Sequence, residues 1–590
     1  MKTVVHVTHE AVMKIGGIGA VLEGLITSPT YGSAVDRTIL IGPLFSTDGA
    51  AADRLGPDGE VLYSSLDGMV SHPVAGQLDA VRRDYNVDLV YGRRQFIEPG
   101  NGRVVDAEVL LIDVRRGDAQ RVNAFKSGLW ENFWIDSKAY EHSWEYDQYV
   151  RLAPPAIAAL HALGACAHDG ACIVLAHEFM GMPTALAAIL DRSPSFRTVF
   201  YAHEVATMRK IVEDHRGHDT MFYNVLRASH DTGQFVEDLF GPQHHYFKHA
   251  LVEASRYCDE IFAVGDYVVK ELRFMGPDFA HLDIDIVYNG IPSFEISPDE
   301  ALASKSKLQT YCDALLGYRP DWVFSHVARL VTSKGLWRDL QVLETVEQRF
   351  RETGETAVLF VLSTEVPGRR SEDIRHMETW WKWPVAHREG MPDLSGGEAL
   401  YYAGVQAFNA RARNVKVVFV NQWGWNRAAC GERMPADMEM IDLRKGADLE
   451  FGQSIYEPYG IAQVEALVFG GLCVLTNVCG CAGMVDDITD GELSPNVIVA
   501  DYTKVDGIAG DVDAALAIDV EQRDAIERRV SAEVGREIVK RLPTTPEAYA
   551  DMLRRGWELG NQMSWDAVVR NYFLPGIERA ARKSRAVEVS

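Results

Sequence analysis

The stretch TVVHVTHEAVMKIGGIGAVLEGL, residues 3–25, predicts a strand, a glycine-rich turn and a helix. Residues 3–7 are rich in β-branched side chains, which favours a strand, and residues 20–25 are predicted to be helical. The glycines between them would let an anionic ligand approach backbone N–H groups at the positive end of the helix dipole, where Lys14 adds a cation. The turn predicts either a phosphate or sugar site at Lys14, Gly16 and Gly17, or only a tight connection.

The same alternation of strand and helix continues along the chain. Short β-branched runs are separated by amphipathic segments of helical length, which is typical of parallel α/β units. A polar, helical connector at 298–316 separates two such series. The predicted strands are 3–7, 38–41, 109–114, 172–176, 198–202, 260–264 and 284–288 in the first series, and 322–327, 357–362, 415–420, 472–477 and 496–500 in the second.

This pattern predicts an α/β protein of two doubly wound, Rossmann-like domains that face each other across a cleft. The predicted N-terminal domain comprises residues 1–300 and the C-terminal domain residues 301–563. An irregular, tryptophan-rich segment at 365–445 is predicted to be an insertion in the second domain. The tail 564–590 has an amphipathic helical pattern with a proline interruption, and this pattern is compatible with packing on either domain.

Composition limits the partners and the location. The chain of 590 residues has 59 basic and 84 acidic residues, and its net charge of −25 would repel nucleic acid and anionic lipid headgroups. Neither a signal peptide nor an apolar run of membrane-spanning length is predicted. The eight cysteines are few and unevenly spaced, which favours a reduced cytoplasm over a secreted disulfide scaffold. The oligomeric state, a homo-oligomer included, is left open.

The segment EPYGIAQVE, residues 457–465, predicts a sugar or anion site at the start of a helix. It follows a strand-like stretch at 449–454 and leads into a predicted helix at 461–469. A proline and a glycine at the helix entry place free N–H groups beside Glu457, whereas Glu465 lies inside the helix. One carboxylate can then meet a reacting sugar while the other binds ribose hydroxyls. Alternatively, Glu457 caps the helix and Glu465 lies on a solvated face.

Two cations, Arg329 and Lys334, follow the predicted strand 322–327 in the segment ARLVTSKG, residues 328–335. Open α/β sheets bind ligands beyond the carboxyl ends of their strands, so these cations suit a diphosphate. As a nucleoside diphosphate leaves a sugar, negative charge grows on its oxygens, and positioned Arg and Lys side chains stabilise it in place of a metal. The alternative is a pair of exposed surface charges.

Two His-Glu pairs end successive predicted strands, His177-Glu178 and His203-Glu204. Because both pairs fall at the carboxyl edge of the first sheet, each histidine can bind a sugar hydroxyl. A buried imidazole with satisfied hydrogen bonds is the alternative.

Two further groups of side chains carry weaker signals. His244, His245 and His249 have helical spacing, but zinc is not predicted there because no set of carboxylates is expected nearby. The tryptophans of the 365–445 segment can stack on sugar rings or pack in a core. They are Trp380, Trp381, Trp383, Trp423 and Trp425.

Taken together, these segments resemble the retaining glycosyltransferases of the two-Rossmann-domain GT-B superfamily, and among them the glycogen and starch synthases. The resemblance extends over nearly the whole chain. The tail SWDAVVRNY, residues 564–572, is similar to the closing helix of these synthases, which crosses back to the first domain. The other segments that carry the resemblance are KIGGIGAV at 14–21, the His203 loop, NGI at 289–291, ARLVTSKG at 328–335 and EPYGIAQVEAL at 457–467.

The resemblance implies transfer of glucose, with retention of anomeric configuration, from UDP-glucose or ADP-glucose to the nonreducing end of an α-1,4-glucan polymer. It implies neither a metal nor another cofactor, since the nucleotide sugar is itself the substrate. His203 would hold the donor glucose, and Glu457 would orient that sugar or stabilise its oxocarbenium-like state.

The other matched residues take supporting roles in the resemblance. Arg329 and Lys334 would neutralise the departing diphosphate, and Glu465 would bind the ribose. His177 and Glu178 are acceptor-side candidates. The remaining donor-binding candidates are Lys14, Gly16, Gly17, Asn289, Tyr459, Gly460 and Ile461.

Three other functions stay open. A glycosyltransferase of the same fold would have a small acceptor and make a disaccharide or a glycolipid precursor. A nucleotide-sugar epimerase would consume the donor without an acceptor, and a silent glucan-binding scaffold would do neither. A dehydrogenase is disfavoured because residues 16–19 lack the G-x-G-x-x-G spacing.

Overall fold

The structure, a computed structural model, describes residues 2–14, 16–56, 58–100, 102–165, 171–366, 368–492, 494–508 and 510–583. The chain forms two compact units. The first unit comprises the described residues of 1–208, 233–292 and 565–590, and the second comprises those of 209–232 and 293–564. Residues 584–590 of the predicted tail, as well as Ile15 and Cys166, lie outside the described residues.

A nine-stranded sheet forms the centre of the first unit in the part of the chain that the structure describes. Its order is β3-β4-β5-β2-β1-β6-β7-β8-β9. The strands are β1 Thr3–Val7, β2 Arg37–Pro43, β3 Glu60–Ser64, β4 Asp88–Ile97, β5 Val104–Asp113, β6 Cys172–His177, β7 Phe196–Ala202, β8 Glu260–Ala263 and β9 Asp285–Ile286. All neighbouring pairs are parallel except β3-β4 and β4-β5. Because helices cover both faces, every residue of β1 is buried.

The helices of the first unit connect these strands and close its end. They are Gly17–Thr27, Pro29–Ala34, Ala75–Tyr85, Ala119–Phe133, Ser137–Tyr140, Trp144–Ala162, Glu178–Asp191, Val236–Phe240, Phe247–Glu253, Asp266–Phe274, Pro277–Ala280, Trp565–Val568 and Leu574–Arg582, with shorter 3-10 turns at Ala51–Asp53 and Ala254–Tyr257 and a π turn at Val569–Phe573. The helix Ala206–Asp214 runs from the first unit into the second.

The antiparallel strands β3 and β4 are absent from the sequence prediction, and β5 begins before its predicted start at 109. β4 and β5 are consecutive in the chain, and between them the Glu98 N–H donates to the Arg103 carbonyl at 2.8 Å. Exposed and buried residues alternate in the outer half of β4. The hairpin is therefore half-solvated and lacks the continuous apolar run that identifies a buried parallel strand.

The C-terminal helices pack on the first unit, which confirms the crossover predicted for the tail. A Cβ atom on Gly24 would lie 2.0 Å from the Trp565 ring, and one on Gly290 would lie 2.6 Å from the Trp565 backbone nitrogen. Asp566 accepts hydrogen bonds from the Ser28 hydroxyl and the Thr30 N–H at 2.8 and 2.9 Å. Two glycines thus admit the indole of Trp565 where any larger side chain would collide with it.

A six-stranded sheet forms the centre of the second unit within the described ranges, and its strands are all parallel in the order β12-β11-β10-β13-β14-β15. The strands are β10 Trp322–Val327, β11 Ala357–Leu362, β12 Val415–Val420, β13 Leu449–Gly452, β14 Leu472–Thr476 and β15 Val497–Ala500. The helices are His218–Thr232, Pro298–Leu316, Trp337–Thr353, Ser371–Trp381, Gly396–Arg411, Arg427–Cys430, Met440–Gly446, Ile461–Val464, Gly480–Ile488, Val512–Leu516, Val520–Arg541 and Pro546–Gln562, with 3-10 turns at Thr332–Lys334 and Glu465–Phe469.

The segment 209–232 lies in the second unit, although it precedes the domain boundary predicted near residue 300. Arg338, which is fully buried, anchors it by donating to both carboxylate oxygens of Asp219 at 2.7 and 2.9 Å. The same guanidinium donates to Glu527 at 2.9 Å. These charged residues are far apart in sequence, so no local sequence pattern predicts their contact.

Part of the tryptophan-rich 365–445 segment belongs to the second sheet itself, as β12. Trp383 and Trp425 are buried in a core cluster with residues of β11 and β12, so these two side chains serve packing. Trp380 is 69% exposed and Trp423 is 48% exposed. Among the described helices, none combines the length and the apolar character needed to cross a bilayer.

Candidate functional site

Each sheet has one point at which its strand order reverses, and the predicted site residues gather there. In the first sheet the reversal lies between β1 and β6, and in the second between β10 and β13. Ligands of open α/β sheets bind beyond the carboxyl ends of the strands at this point. His177 ends β6, and Lys334 and Glu457 follow β10 and β13.

Three histidines form a hydrogen-bonded chain at the carboxyl edge of the first sheet. His6 Nδ1 lies 2.9 Å from His177 Nε2, and His177 Nδ1 lies 2.8 Å from His203 Nε2. At the far end, His6 Nε2 lies 3.1 Å from the Tyr31 hydroxyl, which lies 3.1 Å from the Thr38 hydroxyl. The structure therefore joins the predicted His177 and His203 and adds His6. A single histidine inside an otherwise apolar strand was the sequence signal for His6.

Burial keeps these imidazoles neutral. It lowers the pKa of His6 and of His203 to about 3, and it holds the pKa of His177 well below its usual range. Because a neutral ring carries a single N–H, the three N–H groups must all point in the same direction along the chain. When they point away from Tyr31, His203 is left with an outward donor at Nδ1; when they point toward Tyr31, it is left with an acceptor there.

Glu178 is a buried carboxyl beside this chain. It begins the helix Glu178–Asp191 with a positive φ of 59°, a conformation that non-glycine residues seldom adopt. Its Oε1 accepts from the Glu204 N–H at 2.6 Å, whereas its Oε2 has no hydrogen-bond partner among the residues described. Burial and the charge of Glu204 hold its pKa well above the usual range.

The glycine-rich turn already holds a carboxylate. Glu10 Oε2 accepts from the Gly16 and Gly19 N–H groups at 2.8 and 2.9 Å. Lys14 is 56% exposed and pairs with Glu23 at 3.1 Å. A Cβ atom on Gly17 would meet no described atom within 4 Å. A donor phosphate at this turn would therefore have to compete with Glu10, a residue that the glycine pattern alone did not reveal.

Asn289 lies inside the framework of the first unit. It is buried, and the Tyr201 hydroxyl lies 3.5 Å from its Oδ1 and 2.9 Å from the Val287 carbonyl oxygen. Its role in donor binding stays a prediction.

In the second unit, Lys334 and Glu457 form an ion pair that brings the two predicted loops together. Both are largely buried, with 17% and 12% of their side chains exposed. Glu457 Oε2 also accepts from the Ser454 hydroxyl at 3.3 Å and from Gln463 Nε2 at 3.2 Å. Gln463, which the sequence analysis did not single out, thus orients the carboxylate.

Two glycines fix the loop that carries Glu457. Gly460 has a φ of +94°, a conformation that favours glycine, and it precedes the helix Ile461–Val464. Gly480 begins the helix Gly480–Ile488, and a Cβ atom there would lie 2.1 Å from the Pro458 carbonyl oxygen. The Gly480 N–H donates to the Glu457 carbonyl at 3.3 Å.

Neighbouring contacts complete this loop. Tyr459 is buried, its hydroxyl lies 3.1 Å from the Met484 sulfur, and its carbonyl accepts from the Cys481 N–H at 2.9 Å. Ile461 is half-buried. The predicted helix 461–469 is an α turn followed by a 3-10 turn that begins at Glu465.

Glu465 and Arg329 complete the predicted set in the second unit. Glu465 is held by Arg444 at 2.8 Å, and this buried arginine also lies 3.0 Å from Glu450. Arg329 is exposed, and its side chain has no ion pair with the described residues. The site thus offers one cation held by a carboxylate and a second that an anion can approach.

The expectation that no carboxylates surround the histidines of 244–249 is wrong. Glu237 and Glu253 both lie within 4.0 Å of His244. Helix turns on either side of the histidines bring them there, which the spacing of the histidines alone did not indicate.

Comparison with solved structures identifies proteins of similar fold. The catalytic domain of starch synthase IV from Arabidopsis thaliana, bound to ADP and acarbose, matches with a TM-score of 0.50 and 15% identity over 98% of this chain and 99% of that one. The N-terminal domain of trehalose-6-phosphate phosphatase from Candida albicans matches with a TM-score of 0.50 and 11% identity over 98% and 99%.

An α,α-trehalose-phosphate synthase (UDP-forming) from Burkholderia xenovorans, in complex with glucose-6-phosphate, has a TM-score of 0.48 and 12% identity over 98% and 100% of the two chains. No protein-family model matches the chain, and no curated protein sequence matches it. The first two likenesses confirm the predicted fold class, two doubly wound α/β domains of the GT-B type.

Proposed function

We propose that this chain is a retaining glucosyltransferase that transfers glucose from a nucleotide sugar to the nonreducing end of an α-1,4-glucan. The observation that carries the proposal is the Lys334–Glu457 pair at the strand-order reversal of the second sheet, with the exposed Arg329 five residues before Lys334. The starch synthase IV structure of the same fold binds ADP and acarbose, a nucleoside diphosphate and a sugar ligand, which supports this choice.

The second unit supplies the donor chemistry in this proposal. Arg329 and Lys334 stabilise negative charge on the departing diphosphate, so the reaction needs no metal at this step. Lys334 has three N–H donors and can keep Glu457 in place while it contacts a phosphate oxygen. Glu457 then faces the sugar and stabilises its positive charge, and Glu465, oriented by Arg444, accepts from the ribose hydroxyls.

The first unit supplies sugar contacts. His203 holds the donor glucose through its remaining ring nitrogen, and His177 fixes the ring of His203 from behind. Glu178 contacts a hydroxyl on the acceptor side through Oε2, which has no hydrogen-bond partner among the described residues. The donor is UDP-glucose or ADP-glucose, and the proposed location is the cytoplasm.

The test is release of nucleoside diphosphate from UDP-glucose and from ADP-glucose, each with and without glycogen, together with measured growth of glucan chains. Release that depends on glycogen and is accompanied by elongation is expected with one of the two donors. Release without elongation would overturn the polymer acceptor and favour a small acceptor or an epimerase. No release with either donor would overturn the transferase.

Variants link the reaction to the proposed residues. Lys334→Met and Glu457→Gln are each expected to lower turnover by about 10²- to 10³-fold, the usual effect of removing one group that stabilises transition-state charge. Lys504→Met, at an exposed lysine of the same unit, is the matched control and should keep full turnover. Near-normal turnover in either site variant would contradict the assignment.

A further inference from the structure

Three side chains that could hold a metal ion converge in the first unit, and a fourth, Glu253, contacts one of them. Glu237, His244 and His249 each place one ligand atom within 4.8 Å of the others. His244 Nε2 lies 4.0 Å from Glu237 Oε1 and 3.6 Å from Glu253 Oε2. Two imidazoles and the Glu237 carboxylate therefore approach one point, and the Glu253 carboxylate contacts His244 beside it.

Each of three members is held by a further hydrogen bond. Thr207 Oγ1 lies 3.0 Å from His249 Nδ1, so a ring that donates there keeps a lone pair at Nε2. The Gln243 N–H donates to Glu237 Oε1 at 2.6 Å, and Arg256 donates to the other oxygen of Glu253 at 2.6 Å. Outer contacts of this kind orient the ligands of metal sites.

The fourth member, His244, is placed by its backbone. The Tyr140 hydroxyl donates to the His244 carbonyl at 2.5 Å, while the imidazole itself is 54% exposed. His249 is buried and its Nδ1 faces Thr207, so Nε2 is the ring nitrogen left for a cation. The cluster thus has one face open for entry of an ion.

We propose that Glu237, His244 and His249, with Glu253 beside them, form a binding site for a divalent transition metal, with Zn²⁺ as the best fit. Zinc binds imidazole nitrogen and carboxylate oxygen in tetrahedral sites with bonds of about 2.0–2.2 Å. Such bonds place neighbouring ligand atoms roughly 3.3–3.6 Å apart, so the distances of 3.6 and 4.0 Å require only small side-chain shifts.

The bound metal is held by Glu237, His244 and His249, and Glu253 contacts His244 beside it. It joins the helix Val236–Phe240 to the helix Phe247–Glu253, and through Thr207 it steadies the start of the helix Ala206–Asp214. An ion pair between a protonated His244 and the two carboxylates is the competing explanation, and the experiment separates the two.

The experiment uses the full chain, free of any histidine tag and treated with a chelator. Zn²⁺ is titrated by calorimetry and by its effect on the melting temperature, and Co²⁺ is followed by visible absorption, which reports tetrahedral coordination. The wild-type chain should bind one equivalent of Zn²⁺, melt at a higher temperature with the metal, and give the tetrahedral Co²⁺ bands.

Two variants and one control locate the site. His244→Ala and Glu237→Gln should each weaken Zn²⁺ binding by more than about 10-fold, and the glutamine keeps an acceptor for the Gln243 N–H. His245→Ala, at the adjacent exposed histidine, should bind as the wild type does. The proposal is overturned if the wild-type chain binds no Zn²⁺, or if His245→Ala loses as much affinity as His244→Ala.

Discussion

The histidine chain predicts that the two ring nitrogens of His177 serve different purposes. Replacing His177 with Phe keeps an aromatic ring, which stacks on His203 with a centroid distance of 5.1 Å, but removes both hydrogen bonds. Gln at this position can reproduce the contact of Nε2 with His6, and Asn the contact of Nδ1 with His203. The three variants therefore separate the buried contact from the one that orients His203.

The magnitude follows from burial. In His177→Phe, His6 is fully buried and loses its partner at Nδ1, which costs about 1–3 kcal/mol. His203 is half-buried and can turn toward water, so its loss adds less than about 1 kcal/mol. The total of about 1–4 kcal/mol corresponds to an increase of roughly 5- to 900-fold in amide exchange through opening of the strands.

Hydrogen exchange measured by mass spectrometry tests this prediction. Peptides that cover β1 and β6 should exchange faster in His177→Phe, while peptides of the second unit serve as the internal reference. Protection should return in His177→Gln, and glucose transfer should return in His177→Asn. His161→Phe, at a more exposed histidine of the same unit, is the control. Unchanged protection in His177→Phe, or rescue by the opposite amides, would refute the reasoning.

Three further predictions address the loop, the core and the pH response. Gly480→Ala should lower turnover more than 10-fold, because its Cβ atom would displace the loop that carries Glu457. Gly396→Ala is the control and should keep its turnover, because a Cβ atom there meets no described atom within 4 Å. Equal turnover of the two variants would contradict this prediction. Arg338→Met leaves two buried carboxylates without their cation and should destabilise the second unit by about 3–5 kcal/mol, so its melting temperature should fall well below that of the exposed control Arg349→Met. His6 binds a proton in the unfolded chain below pH 6.5 but in the folded chain only near pH 3. Its contribution to the free energy of unfolding is therefore complete above pH 6.5 and is lost as the pH falls toward 3. At pH 5 this single group lowers the free energy of unfolding by about 2 kcal/mol. Equal hydrogen-exchange protection of β1 at pH 7 and pH 5 would contradict the prediction.

The strands that the sequence predicted best are those buried on both faces. The predicted bounds of β10, β11 and β12 coincide with those observed, because strands covered by helices are continuous apolar runs. β3 and β4 were missed because exposed residues interrupt both strands. The position of 209–232 was missed because its contacts, such as Arg338 with Asp219 and Thr220 with Tyr502, join residues far apart in sequence.

The candidate site divides in the same way. Lys334 and Glu457 could be found from sequence because each follows a strand end, and the structure joins them. Glu10 and Gln463 could not be found from sequence, because nothing in the sequence shows which atoms their carboxylate and amide groups contact. Arg444 was missed for the same reason.

The packing of Trp565 between Gly24 and Gly290 has a consequence for biosynthesis. The first unit begins at the N-terminus, but its closing helices follow roughly 270 residues of the second unit. At about 5–20 residues per second, the ribosome needs roughly 14–54 s to synthesise that intervening stretch. During this time the N-terminal sheet is already outside the ribosome without the indole that fills its glycine-lined slot. The unit that starts to fold first is thus completed only by helices that follow the main stretch of the second unit in the chain.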